Sequence, residues 1–237
     1  MLYWEFYLMG IILIPGLIFA AIAQAKVNSS YKKYSKIMAI SGISAKDASR
    51  KILDGASLEN VKIKTISGNL TDNFNPTNNT VSLSQDVANS SSIAALGIAL
   101  HEVGHAIQHN KNYFPAKLRL GVVKFSNIVS PLMWPLVILG LLFNFVWMNG
   151  LWGTILVWSG IGFFGLAVLL NLVTLPVEYN ASNRALKILE ETKILNENEL
   201  PGCKEVLRSA GLTYVAALIV SILNLLRFVF VIFRNRE

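Results

Sequence analysis

The chain has 237 residues, of which 53% are hydrophobic and only 15% are charged, and its formal net charge is +7. This composition lies outside the range of ordinary soluble globular domains and predicts a membrane protein. The single cysteine excludes an internal disulfide framework, and the distribution of the basic residues favours membrane orientation over a nucleic-acid partner.

Four segments have the length of about 17–25 mostly apolar residues that a membrane-spanning helix needs. They are residues 6–25, 128–148, 151–175 and 212–233. The first of them has no basic leader, so we predict a retained helix. Its end, "AIAQA", resembles a signal-peptide cleavage site, which leaves a removed leader as the alternative.

The soluble part consists of a larger segment, residues 26–127, and a smaller one, residues 176–211. Residues 26–124 contain 13 Lys or Arg and residues 178–208 contain five, whereas "MNG" between the second and third spans contains none. Basic residues stay preferentially on the cytoplasmic side. We therefore expect a multi-pass protein of the cell membrane with both soluble segments in the cytoplasm.

The larger soluble segment carries both helix and strand signals. A short helix is predicted for "NSSYKKYSKIMAISG", residues 28–42, and a second for "SAKDASRKILDG", which Ser44 caps. The alternation in "VKIKTI" and "TVSLS" predicts two strands, and a helix over 91–109 follows. The predicted fold is a mainly α membrane protein with four transmembrane helices and a small α+β domain.

The helix over 91–109 contains the motif H-E-x-x-H. His101 and His105 are separated by roughly 40° of rotation and 6 Å of rise, so both rings can bind one ion, with Glu102 beside them. In this motif the imidazoles bind zinc and the Glu acts as general base toward a zinc-bound water. The alternative is a pair of hydrogen-bonded core histidines with Glu102 at an interface.

A catalytic zinc needs a third protein ligand. Glu178 is the candidate, because it follows the third span and shares a predicted helix face with Ser182, Ala185 and Leu189. A hairpin of spans would return the chain to the same face of the membrane. The alternative for Glu178 is an ion pair with Arg184 or Lys187. His109 lies roughly 12 Å from His101 along the helix, too far to share an ion, and is expected at the surface.

The segments "LTDNFNPTNNTVSLS", "SIAALGIALHEVGHAIQ" and "LPVEYNASNRAL", in this order around a membrane hairpin, resemble the YugP-type membrane zinc metallopeptidases over most of the chain. The resemblance implies that His101, His105 and Glu178 bind the metal and that Glu102 is the catalytic base. "EYNAS" is also similar to the E-x-x-A-D of the HtpX and CAAX-prenyl membrane proteases. Ser182 stands in place of that Asp and would be a weaker partner of a ligating His.

The zincin-like domain that this resemblance implies would place "TVSLS" at a sheet edge, where a peptide could add as a strand; a packing strand is the alternative. The expected activity is hydrolysis of peptide bonds with one Zn²⁺ per chain. Partners would be the lipid bilayer and a peptide or membrane-protein substrate, without nucleic acid. A non-catalytic membrane adaptor with a structural zinc is the alternative function.

Overall fold

The computed structural model of the protein describes residues 10–146 and 150–234. After a short 3-10 turn, Ile11–Leu13, the elements follow in the order α1 (Ile14–Tyr34), α2 (Ala45–Gly55), β1 (Lys62–Ile66), β2 (Asn73–Asn75), β3 (Thr80–Ser84), α3 (Gln85–Ala88), α4 (Ile93–Asn110), α5 (Phe114–Val146), α6 (Gly150–Glu191) and α7 (Leu200–Arg234). The expected class, mainly helical with a small sheet, is confirmed.

The chain divides into two compact units. The helical unit contains Met1–Ala21, Lys117–Leu175 and Tyr214–Glu237, and the site unit contains Ile22–Ala116 and Pro176–Thr213. The main core cluster lies in the site unit, where Leu53, Leu83 and Leu100 are fully buried. The smaller cluster, Ile161, Phe164 and Phe228, lies in the helical unit.

Three helices in the described ranges are long and apolar enough to cross a membrane, namely Ile11–Tyr34, Leu151–Glu191 and Leu200–Phe230. They overlap the predicted first, third and fourth spans; residues 6–9 of the first lie outside the described ranges. The second predicted span, residues 128–148, ends among residues 147–149, which also lie outside them, and it stays a prediction.

The short helix predicted over residues 28–42 is wrong as a separate element. Helix α1 continues to Tyr34, and the chain then pairs with the segment before α4 through an isolated bridge between Met38 and Ser92. The polar run that suggested a cap lies inside α1, because a helix already formed by the preceding apolar residues extends through it.

Helix α2 begins as predicted. The Oγ of Ser44 accepts a hydrogen bond from the Asp47 amide at 3.1 Å and donates to the Asp47 carboxylate at 2.6 Å. Its apolar side, including Ile52 and Leu53, is buried in the core. The cap and the buried side together explain why this segment is helical.

The two predicted strands are present as β1 and β3, and a third strand, β2, lies within the turn-rich segment between them. The sheet order is β1-β3-β2, with β3 parallel to β1 and antiparallel to β2. The expectation that "TVSLS" forms a sheet edge is therefore wrong. Val81 and Leu83 of β3 are fully buried, as a central strand requires.

Candidate metal centre

Helix α4 carries the histidine motif. Ser92 caps its N-terminus, where the Ser92 Oγ accepts a hydrogen bond from the Ala95 amide at 3.2 Å. Its apolar residues are buried on several sides, which explains the long apolar run before the motif. The His101 and His105 side chains are both 14% exposed.

Helix α6 carries Glu178 and Ser182 four residues apart on one helix face. Glu178, Ala185 and Leu189 are buried and Ser182 is half-buried, whereas Lys187 is exposed, so the predicted face is confirmed. Glu178 is only 3% exposed. Helix α6 runs unbroken past the predicted end of the span at residue 175, so Glu178 lies on the same helix as the apolar segment.

Three side chains converge on one point. The Nε2 atoms of His101 and His105 lie 3.2 and 3.4 Å from the same Oε2 atom of Glu178, and they lie 3.1 Å from each other. In the part of the chain that the structure describes, these three residues form the group of His, Cys, Asp or Glu side chains that could hold a metal ion. The structure thus brings together the two predicted histidines and the predicted acid.

Gly104 makes the close approach of α4 and α6 possible. A methyl group at this position would lie 2.8 Å from the carbonyl oxygen of Ala181, nearer than real side chains come. The glycine of H-E-V-G-H therefore lets the backbone of α6 lie directly against α4, between the turns that carry Glu178 and Ser182.

Each histidine also makes a hydrogen bond through its other ring nitrogen. The Nδ1 of His101 lies 3.1 Å from the Ser182 Oγ, and the Nδ1 of His105 lies 3.0 Å from the Gln108 Oε1. Contacts of this kind orient the rings of ligating histidines. Ser182 is therefore in the position expected for a partner of His101, although its role stays a prediction.

Sequence reasoning missed Gln108 as a partner of His105. Gln108 is 1% exposed, and its Nε2 donates to the Val177 carbonyl and to the Asn180 Oδ1, both at 2.9 Å. The sequence offered one signal for this contact, namely that Gln108 is a polar residue three positions after His105 in a mostly apolar helix. A buried carboxamide needs partners, and in this position it lies beside the ring.

The electrostatic setting of His105 follows from these contacts. Burial lowers its pKa, but the hydrogen bond to Glu178 and the negative charges of Glu102 and Glu178 outweigh burial. The pKa of His105 is therefore raised above the ordinary histidine value.

The donor set fits zinc. Two imidazole nitrogens and a carboxylate oxygen are among its preferred ligands, and bonds of about 2.0–2.2 Å hold tetrahedral ligand atoms about 3.3–3.6 Å apart. The three observed separations, 3.1–3.4 Å, come within a few tenths of an ångström of that spacing.

The structure also shows the surroundings of the other residues considered in the sequence analysis. Glu102 follows His101 on α4 and is half-buried, and His109 is exposed in the last turn of α4, as expected for a surface histidine. The alternative partners for Glu178 are engaged elsewhere: the Arg184 Nε donates to Asn180 at 2.8 Å, and Lys187 pairs with Glu191 at 3.6 Å.

Two comparisons with known proteins show the family of this chain. The model of the family described as "Putative neutral zinc metallopeptidase" matches residues 9–233, so the chain belongs to this family. The chain is also 41% identical over 218 residues to the "Putative membrane protease YugP" of Bacillus subtilis (strain 168), covering 91% of this chain and 92% of that protein. No solved structure matches the chain significantly.

The expected resemblance to the YugP-type family is therefore confirmed. The family description indicates zinc, and the name of the relative together with the apolar helices implies membrane association.

Proposed function

We propose that this protein is a membrane zinc metallopeptidase that hydrolyses peptide bonds. The observation that carries the proposal is the triangle of donor atoms from His101, His105 and Glu178, whose separations of 3.1–3.4 Å suit one zinc ion. The name of the family and that of the relative support a hydrolase of this class.

His101, His105 and Glu178 would hold the zinc, one ion per chain. When bound, zinc supplies a Lewis acid that polarises a carbonyl and lowers the pKa of water. A structural zinc site is usually closed by a fourth protein ligand, whereas a catalytic site has three and keeps one position open. The cluster has three members among residues 10–146 and 150–234, which favours the catalytic kind of site.

Glu102 is the general base of the proposed reaction. Its carboxylate takes a proton from the water that attacks the substrate carbonyl carbon and returns a proton to the amide nitrogen as the peptide bond breaks. The position of Glu102 on α4 supports this role, since it directly follows His101 and lies three residues before His105, a spacing at which two side chains are neighbours on a helix surface.

We further propose a multi-pass protein of the cell membrane with the site unit in the cytoplasm. Support comes from the apolar helices and from the basic residues of the soluble segments, which favour the cytoplasmic side. Substrates would then be membrane proteins or peptides that reach the inner face. Labelling of a cysteine placed at exposed Lys51 by a membrane-impermeant reagent tests the orientation, and labelling in intact cells would contradict it.

The decisive experiment combines metal analysis with peptide cleavage for wild type, Glu102→Gln and the matched control Glu191→Gln on the exposed side of α6. The proposal predicts about one zinc per chain in all three proteins, with cleavage reduced by about 10²–10⁴-fold only in Glu102→Gln. Equal cleavage by wild type and Glu102→Gln would remove Glu102 from the mechanism. Stoichiometric zinc without cleavage in wild type would favour the adaptor function instead.

A further inference from the structure

Gln108 connects helices α4 and α6 beside the His105 ring. Its side chain is 1% exposed and makes three hydrogen bonds, to the His105 Nδ1 on α4 and to Val177 and Asn180 on α6. Val177 directly precedes Glu178 in the chain. The same carboxamide therefore contacts one proposed ligand and the backbone that carries another.

The orientation of the Gln108 carboxamide is determined by two independent partners. The Val177 carbonyl can only accept a hydrogen bond, so the nitrogen of the carboxamide must face it. The second partner is Asn180, whose Oδ1 accepts a hydrogen bond from the Arg184 Nε at 2.8 Å. A guanidinium can only donate, so the oxygen of Asn180 faces both Arg184 and Gln108.

With its nitrogen directed toward α6, Gln108 presents its oxygen to His105. A carbonyl oxygen can only accept, so the His105 Nδ1 must carry the hydrogen of this 3.0 Å contact. In a neutral imidazole the other nitrogen then carries a lone pair. That nitrogen is Nε2, the atom 3.4 Å from Glu178 and 3.1 Å from the Nε2 of His101.

We infer that Gln108 is a positioning residue that sets the tautomer and the ring orientation of His105, and that Arg184 and Asn180 set the orientation of Gln108. We call this chain of hydrogen bonds, Arg184–Asn180–Gln108–His105, the relay. It begins at a side chain that can only donate, Arg184, and ends at the lone pair on the His105 Nε2. This inference rests on the zinc site of the proposed function. It adds the residues that prepare the site before an ion arrives.

The first measurement is zinc affinity, by competition with a chromophoric chelator, for the full-length protein in detergent or nanodiscs. Gln108→Met keeps the length and apolar volume of the side chain and removes its polar atoms. Loss of a partner behind a ligating histidine typically weakens metal binding about 10–100-fold, which is the expected result. The control is Ser209→Ala, which removes the buried 2.6 Å contact with Ser30 elsewhere in the site unit and should leave zinc affinity near that of wild type.

The second measurement is the tautomer of the neutral His105 ring in the metal-free protein, recorded at alkaline pH. The chain has only three histidines, so nitrogen-15 spectra of histidine-labelled protein contain three rings, which single substitutions assign. Wild type should show the Nδ1–H form at His105, and Gln108→Met a mixture of the two forms. A role limited to packing would leave this ratio unchanged.

Unchanged zinc affinity in Gln108→Met, or an equal loss in Ser209→Ala, would overturn the inference. If Gln108→Met does not fold, Asn180→Leu is used, because Asn180 is only half-buried. It should lose about threefold to tenfold in affinity, the effect of one hydrogen bond, and no loss would contradict the relay. A wild-type protein that binds no zinc would instead refute the proposed function.

Discussion

The two parts of helix α6 have opposite surroundings. In the first part, residues 151–175, large apolar side chains such as Trp152, Leu169 and Leu172 are exposed. In the second part, residues 176–191, Glu178 is buried with two histidines as partners. Exposed apolar side chains on a long helix are stable when lipid covers them, whereas a buried carboxylate is stable only with partners. The first part of α6 therefore has a surface suited to lipid, and the second part carries the buried acid of the candidate metal centre.

The largest expected effect concerns the second part of the helix. Glu178→Ala should weaken zinc binding by more than about 100-fold, since it removes a proposed ligand rather than a supporting residue. Zinc affinity of the purified protein checks this. The matched control is Glu199→Ala, which removes another buried carboxylate of the site unit, one that accepts from the Ile40 and Asn196 amides. An equal loss in both variants would show that destabilisation, not coordination, is responsible.

A charge in the first part of the helix should affect membrane insertion. Leu169→Lys places a charge on an exposed apolar surface, which costs up to about 3 kcal/mol of insertion free energy. The fraction of protein integrated into microsomal membranes measures this, with Leu169→Ile as the control. Normal insertion of Leu169→Lys would show that lipid does not cover this surface.

The contact that brings Glu178 to the histidines should depend on Gly104. Gly104→Ala puts a methyl group against the Ala181 carbonyl oxygen and should destabilise the protein by about 1–3 kcal/mol, with weaker zinc binding. Thermal unfolding and zinc titration measure the two effects. Gly55→Ala, where no atom lies within 4 Å of the added methyl, should be neutral or slightly stabilising. If Gly104→Ala binds zinc as wild type does, α6 can shift away from α4 at Ala181 without moving Glu178.

The smallest expected effect is the pH dependence of zinc binding. The proposed zinc would bind the unprotonated His105. Since the pKa of this ring is raised, its proton should begin to compete at a pH above the ordinary histidine value of about 6.5. Below the raised pKa, affinity should fall about tenfold per pH unit for this one proton. Zinc titrations between pH 5 and 9 measure the break. A break well below pH 6.5 would contradict the proposed partnership with Glu178.

Helices α2 and α4, strands β1 and β3 and the three proposed ligands could be predicted because their signals are local. The motif at His101 and His105 depends on helical periodicity alone, and Glu178 follows an apolar segment on a helix face of its own. The capping residues Ser44 and Ser92 are equally local signals. The extension of α1 to Tyr34 was missed because continuation of an existing helix outweighs weak capping signals.

Strand β2 and Gln108 could not be predicted because both depend on distant residues. Asn73–Asn75 have a turn-like composition and become a strand through pairing with β3. The orientation of the Gln108 side chain depends on hydrogen bonds to Val177 and Asn180, which lie about 70 residues further along the chain. No periodicity within α4 indicates which partners a buried carboxamide will find.

The sequence by itself determined the apolar spans, the class of metal and the residues able to bind it, since hydropathy and ligand chemistry are properties of the side chains. Only the tertiary structure decided that one carboxylate oxygen lies within 3.4 Å of both rings, that β3 is a central strand, and that Gln108 supports His105. The place of β3 depends on its pairing with β1 and β2. The other two outcomes depend on how closely two helices approach, and the packing of α4 against α6 at Gly104 sets that distance.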